Sequence, residues 1–174
     1  MKHDPSRRRR GLLIAAVAVV LIAVTAVALF TSGGGEARLL TRYYTAMYAE
    51  GSLEDLTACV IPAEQSEYYS ALTDGGTSYR RLAQWRAEAL EQVGEHPSVR
   101  IRLLDVVRGT SAQLNTLREQ YPDAQEYCVV SFRLVLSGDG GVQRLLGVTE
   151  MLRSGGRWYL PSSGITLTPE AETK

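Results

Sequence analysis

Three hydrophobic patterns succeed one another along the chain. The first is continuous: Gly11 to Phe30, GLLIAAVAVVLIAVTAVALF, has no charge, and Thr25 is its one polar side chain. As a helix rising about 1.5 Å per residue it would be about 30 Å long, the thickness of a bilayer's hydrocarbon core. The second pattern has a period near 3.6. Leu40, Tyr43, Tyr44, Met47 and Tyr48 recur at three and four residues until Gly51, and Ser52 can cap a short turn from Leu53 to Ala58. A further helix is expected after Pro62, carrying Tyr68, Tyr69 and Leu72 and stopping before Asp74-Gly75-Gly76. Another runs from Ser78 to Val93, with Leu82, Trp85, Ala89 and Val93 as its apolar stripe and Gly94 and Pro97 as its terminators.

The period then changes to two. Val99 to Leu103 alternates apolar residues with Arg100 and Arg102, as a half-buried strand does. Leu114, Leu117 and Tyr121 predict a short helix from Ala112 to Tyr121, stopped by Pro122. Cys128, Val130, Phe132, Leu134 and Leu136 then share one side of a long strand, with Tyr127, Ser131 and Arg133 opposite. Gly138 to Gly141 is a hairpin turn, Val142 to Arg153 a strand, Ser154-Gly155-Gly156 a second turn, and Arg157 to Leu160 the closing strand. Residues 161–174 are polar and read as a loose tail. Helices first and strands afterwards predict an α+β domain: three helices packed on one face of an antiparallel sheet of about four strands.

Charge supplies the topology. The 19 basic and 19 acidic residues cancel, but Lys2 and Arg7 to Arg10 crowd the first ten positions, so the chain beyond residue 30 is net negative. A folded part of that sign argues against a nucleic-acid partner. Arg7, Arg8, Arg9 and Arg10 act as topology determinants: the positive-inside rule puts residues 1–10 in the cytoplasm and everything after the span outside. The expected organisation is a cytoplasmic basic segment (1–10), a transmembrane helix (11–30) with the lipid bilayer as its partner, a flexible linker (31–36), an extracytoplasmic domain (37–160) and the tail. Ala26-Val27-Ala28 has the form of a signal-peptidase site, but a secretory apolar core is usually about 7 to 15 residues and this one is longer.

Candidate chemistry is sparse. Cys59 and Cys128 both fall beyond the span, where an even count suggests a disulfide; closing a loop of about 70 residues would contribute on the order of 4 kcal/mol. Two buried free thiols are the alternative. His96 is the one histidine beyond the span, no CxxC or HxxxH spacing exists, and no metal or cofactor is expected. Tyr44, Trp85 and Trp158 are candidates for core or pocket aromatics, core packing being the commoner use of such side chains.

The tyrosine-bearing opening helix, the Gly-Ser-Leu-Glu-Asp-Leu turn at 51–56 and the closing Gly-Gly-Arg-Trp-Tyr-Leu at 155–160 resemble the nuclear transport factor 2-like, or cystatin-like, superfamily over residues 37–160. The resemblance implies a curved sheet wrapping a long helix into a cone. The helix between the first two strands departs from the simplest cone. Some enzymes of the superfamily use an Asp, His or Tyr inside the cone, for which Tyr44, Asp105 and Glu150 are the candidates, but most tethered members are non-catalytic. The expected function is therefore a non-catalytic, membrane-anchored domain of the bacterial cell envelope. It would bind another envelope protein or itself through the open sheet face edged by Arg100, Arg102 and Arg133. A small-ligand carrier or enzyme using the cone interior, and an accessory part of a secretion or transport complex, are the alternatives.

Overall fold

The computed structural model describes residues 34–163 and 165–170. The chain divides into two compact units, 1–35 and 36–174, and the architecture is that of the second. The arginine run and the Gly11–Phe30 span lie outside the described residues. Among the described residues no helix is long and apolar enough to cross a membrane.

Helix α1 (Gly34–Tyr44) continues into a π-helical turn (Thr45–Glu50), followed by α2 (Leu53–Ala58), a 3₁₀ turn (Pro62–Glu64), α3 (Gln65–Thr73) and α4 (Thr77–Val93). Then come β1 (Ser98–Arg108), α5 (Ser111–Gln120), β2 (Ala124–Gly138), β3 (Gly141–Ser154), β4 (Arg157–Tyr159) and β5 (Ile165–Pro169). The class is α+β, with a five-stranded antiparallel sheet. Its order is β1-β2-β3, and both β4 and β5 pair with the far edge of β3.

The punctuation residues act as their chemistry requires. Gly51, at φ +69°, is the left-handed stop of the π turn and donates its N–H to the Ala46 carbonyl. The Ser52 hydroxyl accepts the Asp55 N–H at 3.1 Å and caps α2. Thr110 and Gln113 form a reciprocal capping box at the start of α5. The N–H of Gly140, in the β2–β3 turn, donates to the Val93 carbonyl at 3.0 Å and ties the end of α4 to that hairpin.

Period two in β2 and β3 sorts side chains between two faces. Cys128, Val130, Phe132, Leu134 and Leu136 point inward with Leu145 and Met151, and bury Leu40, Tyr44, Met47 and Leu56 from the helical layer. Tyr127 and Leu152, one position out of phase, point outward into a smaller cluster with Ile61, Leu114, Leu117 and Tyr159. Helix α5, the one expected between the first two strands, therefore packs on the face of the sheet opposite the main core. A β-bulge between Leu103 and Asp105 shifts the β1–β2 register, and such a bulge bends the strand.

Three expectations are corrected. Residues 34–36 are not linker: they open α1, where Glu36 is 5% exposed and accepts from Arg108 at 2.6 Å. A carboxylate in the first turn suits the helix dipole, and the ion pair compensates its burial. Residues 161–174 are not wholly a tail, because β5 pairs Ile165–Pro169 with Leu145–Thr149. Cys59 and Cys128 are free thiols, each buried in the main core as a small apolar packing group, and there is no bridge between them.

Candidate functional site

Tyr43 and Tyr44 come from the end of α1 and Met47 and Tyr48 from its π turn, and all four are buried. Across from them lie Trp85, Glu88, Ala89 and Gln92 of α4. Gln143 and Leu145 of β3 and Ile165, Leu167 and Pro169 of β5 complete the wall. Together they line a cavity of about 290 Å³ that opens to solvent.

Its inner end is rigid. The Tyr44 ring is fully buried, stacked on Tyr48 at 6.1 Å, edge-on to Tyr43 at 5.3 Å and tilted against Phe132 at 5.7 Å. Beneath Phe132 the strand carries Gly147, where a Cβ would meet the ring. The Tyr43 and Tyr68 hydroxyls share a hydrogen bond of 3.0 Å. The Tyr44 Oη and the Gln143 Oε1 are buried and have no hydrogen-bond partner. A buried polar atom left unpaired costs about 1–3 kcal/mol, so native structures seldom leave one without a water or ligand to meet it.

Electrostatics keep the tyrosines neutral. Burial, then the neighbouring Tyr48 and Tyr68, push the Tyr44 hydroxyl well above its ordinary range. Burial and the Glu88 carboxylate push Tyr48 up to about 12. The Tyr44 hydroxyl is therefore available as a donor. At the mouth, Glu88 accepts from Gln84 Nε2 at 2.7 Å, and Trp85 is 45% exposed.

Trp85 is thus at the rim of a cavity and not in the core, although Ala89 and Val93 of the same stripe are buried. The apolar period of α4 does not show that the space facing Trp85 is a cavity and not packed side chains. Trp158 is half-buried against the main core, with the Arg108 guanidinium 5.1 Å from its ring.

The three acid–base candidates do not meet. Tyr44 faces inward. Asp105 is exposed beside the bulge, where it accepts the Val106 N–H. Glu150 faces outward against Tyr127 in a separate hollow of about 230 Å³. Another hollow, of about 440 Å³, adjoins the main cavity behind Tyr43, Trp85 and Ile165. His96 sits at φ +53° in the α4–β1 loop. Among the described residues no three His, Cys, Asp or Glu side chains are placed to hold a metal.

Of the arginines expected to edge the sheet, Arg100 and Arg102 are exposed on its outer face, but Arg133 is half-buried and paired with Glu170. Sequence reasoning missed Gln143 and the β5 wall. The Ile-Thr-Leu-Thr alternation at 165–168 was the available signal for the latter. Compared with known proteins, the chain matches no family model, no curated protein and no solved structure.

Proposed function

We propose that this chain is a non-catalytic, membrane-anchored binding domain of the bacterial cell envelope, held outside the membrane by residues 11–30, and that its working part is the aromatic cavity. The observation that carries the reading is a 290 Å³ space walled mainly by aromatic and aliphatic side chains, with Glu88, Gln92 and Gln143 as its few polar members. An apolar cavity with a few fixed polar groups is the usual form of a small-molecule site. The order of helices before sheet and the Gly-Gly-Arg-Trp-Tyr-Leu ending support membership of the nuclear transport factor 2-like superfamily.

The test is to purify the full chain from its source membranes, release bound small molecules with organic solvent and identify them by mass spectrometry. A species present near one equivalent in the wild type and absent from Ala89→Trp, which fills the cavity, is the expected result. Release of nothing from the wild type, with Ala89→Trp more stable, would mean a gap in the packing and not a site. Topology has its own check: with Cys59 and Cys128 replaced by alanine, Thr73→Cys in intact cells should react with a membrane-impermeant maleimide and Ser6→Cys should not.

A protein partner is the second reading, supported by the outer face of the sheet. Val107, Val142 and Val148 are exposed there beside Arg100, Arg102 and Arg144, an apolar and cationic surface of the kind interfaces use. Val148→Glu should abolish self-association or partner capture under this reading and leave the cavity ligand bound. An accessory structural role in a secretion or transport complex would instead make the membrane span itself irreplaceable.

A further inference from the structure

Charge at the cavity narrows what can occupy it. None of its lining residues is Arg, Lys or His, and Glu88 is the one with a formal charge. That carboxylate makes no ion pair among the described residues; its Oε1 is met by the neutral Gln84 amide. Trp85 lies one turn before it on the same face of α4, and Tyr48 is close enough for the carboxylate to raise its hydroxyl. The mouth therefore sets an exposed carboxylate without an ion pair beside the exposed Trp85 ring, whose π face is electronegative, with the buried Tyr48 behind them. Such a frame attracts an ammonium group and repels a carboxylate. Deeper in, the walls are Met47, Leu145, Ile165 and Leu167, which take an apolar body.

We infer that the ligand is an amphipathic organic cation, its apolar body inside the cavity and its ammonium group at the mouth between Glu88 and Trp85. This rests on the proposal that the cavity is a ligand site. A neutral ligand would satisfy the walls and leave Glu88 without a role. An anionic one would set two negative charges together at the rim.

Three probes with one body and different heads separate these cases: phenylbutylamine, phenylbutanol and phenylbutyrate. Each is titrated against the full chain in lipid nanodiscs, with emission from Trp85 as the signal in a Trp158→Phe background. The comparison with Glu88→Gln in the same discs cancels partition into lipid. The amine should bind about tenfold tighter than the alcohol, and Glu88→Gln should remove that advantage while leaving the alcohol within about twofold. An alcohol as tight as the amine, or an advantage that survives Glu88→Gln, overturns the cationic class and leaves the cavity reading intact. If none of the three binds the wild type while Ala89→Trp stabilises it, the cavity reading fails and takes this inference with it.

Discussion

Gly147 shows how the cavity depends on the sheet beneath it. A Cβ at this position would lie 2.6 and 2.7 Å from Cε2 and Cε1 of Phe132, and closer still to Cζ. Phe132 is fully buried and pairs directly with Gly147 across β2 and β3, so the ring has no free volume to enter. Replacing glycine by alanine in a strand would by itself gain about 0.5–1 kcal/mol of backbone entropy. Overpacking a well-filled core costs about 1–3 kcal/mol, and an aromatic ring met on three carbons belongs at the upper end. The net expectation for Gly147→Ala is about 2 kcal/mol of destabilisation. With a urea m-value of about 2 kcal/mol/M, the midpoint falls by about 1 M at unchanged m. The ring can only relieve the contact toward Tyr44, its neighbour at 5.7 Å, so ligand affinity should fall with stability. Phe132→Leu added to Gly147→Ala should recover part of the loss, because the two changes share one space. A single variant with the wild-type midpoint, or a double variant whose losses simply add, would refute the argument from close packing.

The ion pair at the start of α1 should respond asymmetrically. Arg108→Ala leaves the nearly enclosed Glu36 carboxylate uncompensated and should cost about 3 kcal/mol by urea unfolding, whereas Glu36→Gln leaves a half-exposed Arg108 that water can solvate and should cost about 1 kcal/mol. Stability should also fall in alkali. Burial pushes the Cys59 and Cys128 thiols up to about 11 from an ordinary 9.0, so their contribution is fully present below the unfolded value and is lost as the pH rises through the folded one. The slope is at most about 1.4 kcal/mol per pH unit for each thiol. In Cys59→Ala/Cys128→Ala the urea midpoint should instead hold until the tyrosines ionise, Tyr48 reaching only about 12 when folded; an unchanged alkaline profile would exclude the thiols as its cause. Finally, both cysteines should react with maleimide in denaturant without prior reduction, and a requirement for reduction would restore the disulfide.

Periodicity served the sequence reading wherever one element had one buried face. Cys128 to Leu136, the Ser52 cap and the Gly51 stop are all where that pattern puts them. It misled where a side chain's surroundings depend on other elements. Trp85 shares the phase of Ala89 and Val93 but lies exposed at the rim of the cavity. Leu114 and Leu117 announce a helix without saying which face of the sheet it will cover. The π turn, across which Tyr44 and Tyr48 stack, has no sequence signature. Gln143 looks like an ordinary strand residue near a turn; only the fold shows that it faces inward with its carbonyl unpaired.

The cavity exists because the chain returns to β3 twice. Strand β4 covers Leu152 to Ser154 and then stops, and the Leu160–Cys59 backbone pair ties its end to the helical layer. Had the chain ended there, Leu145 to Thr149 would present an open edge of unpaired N–H and C=O groups beside the aromatic helix. Strand β5 closes that edge, and its inward residues Ile165, Leu167 and Pro169 then supply the wall opposite α4. Thr166 and Thr168, on the outward phase, continue the polar side of the sheet. The five residues of β5 thus add a wall to what would otherwise be a shallow groove along a sheet edge. Ile165 and Leu167 pack this edge strand onto the main core, and the Arg133–Glu170 pair holds its end.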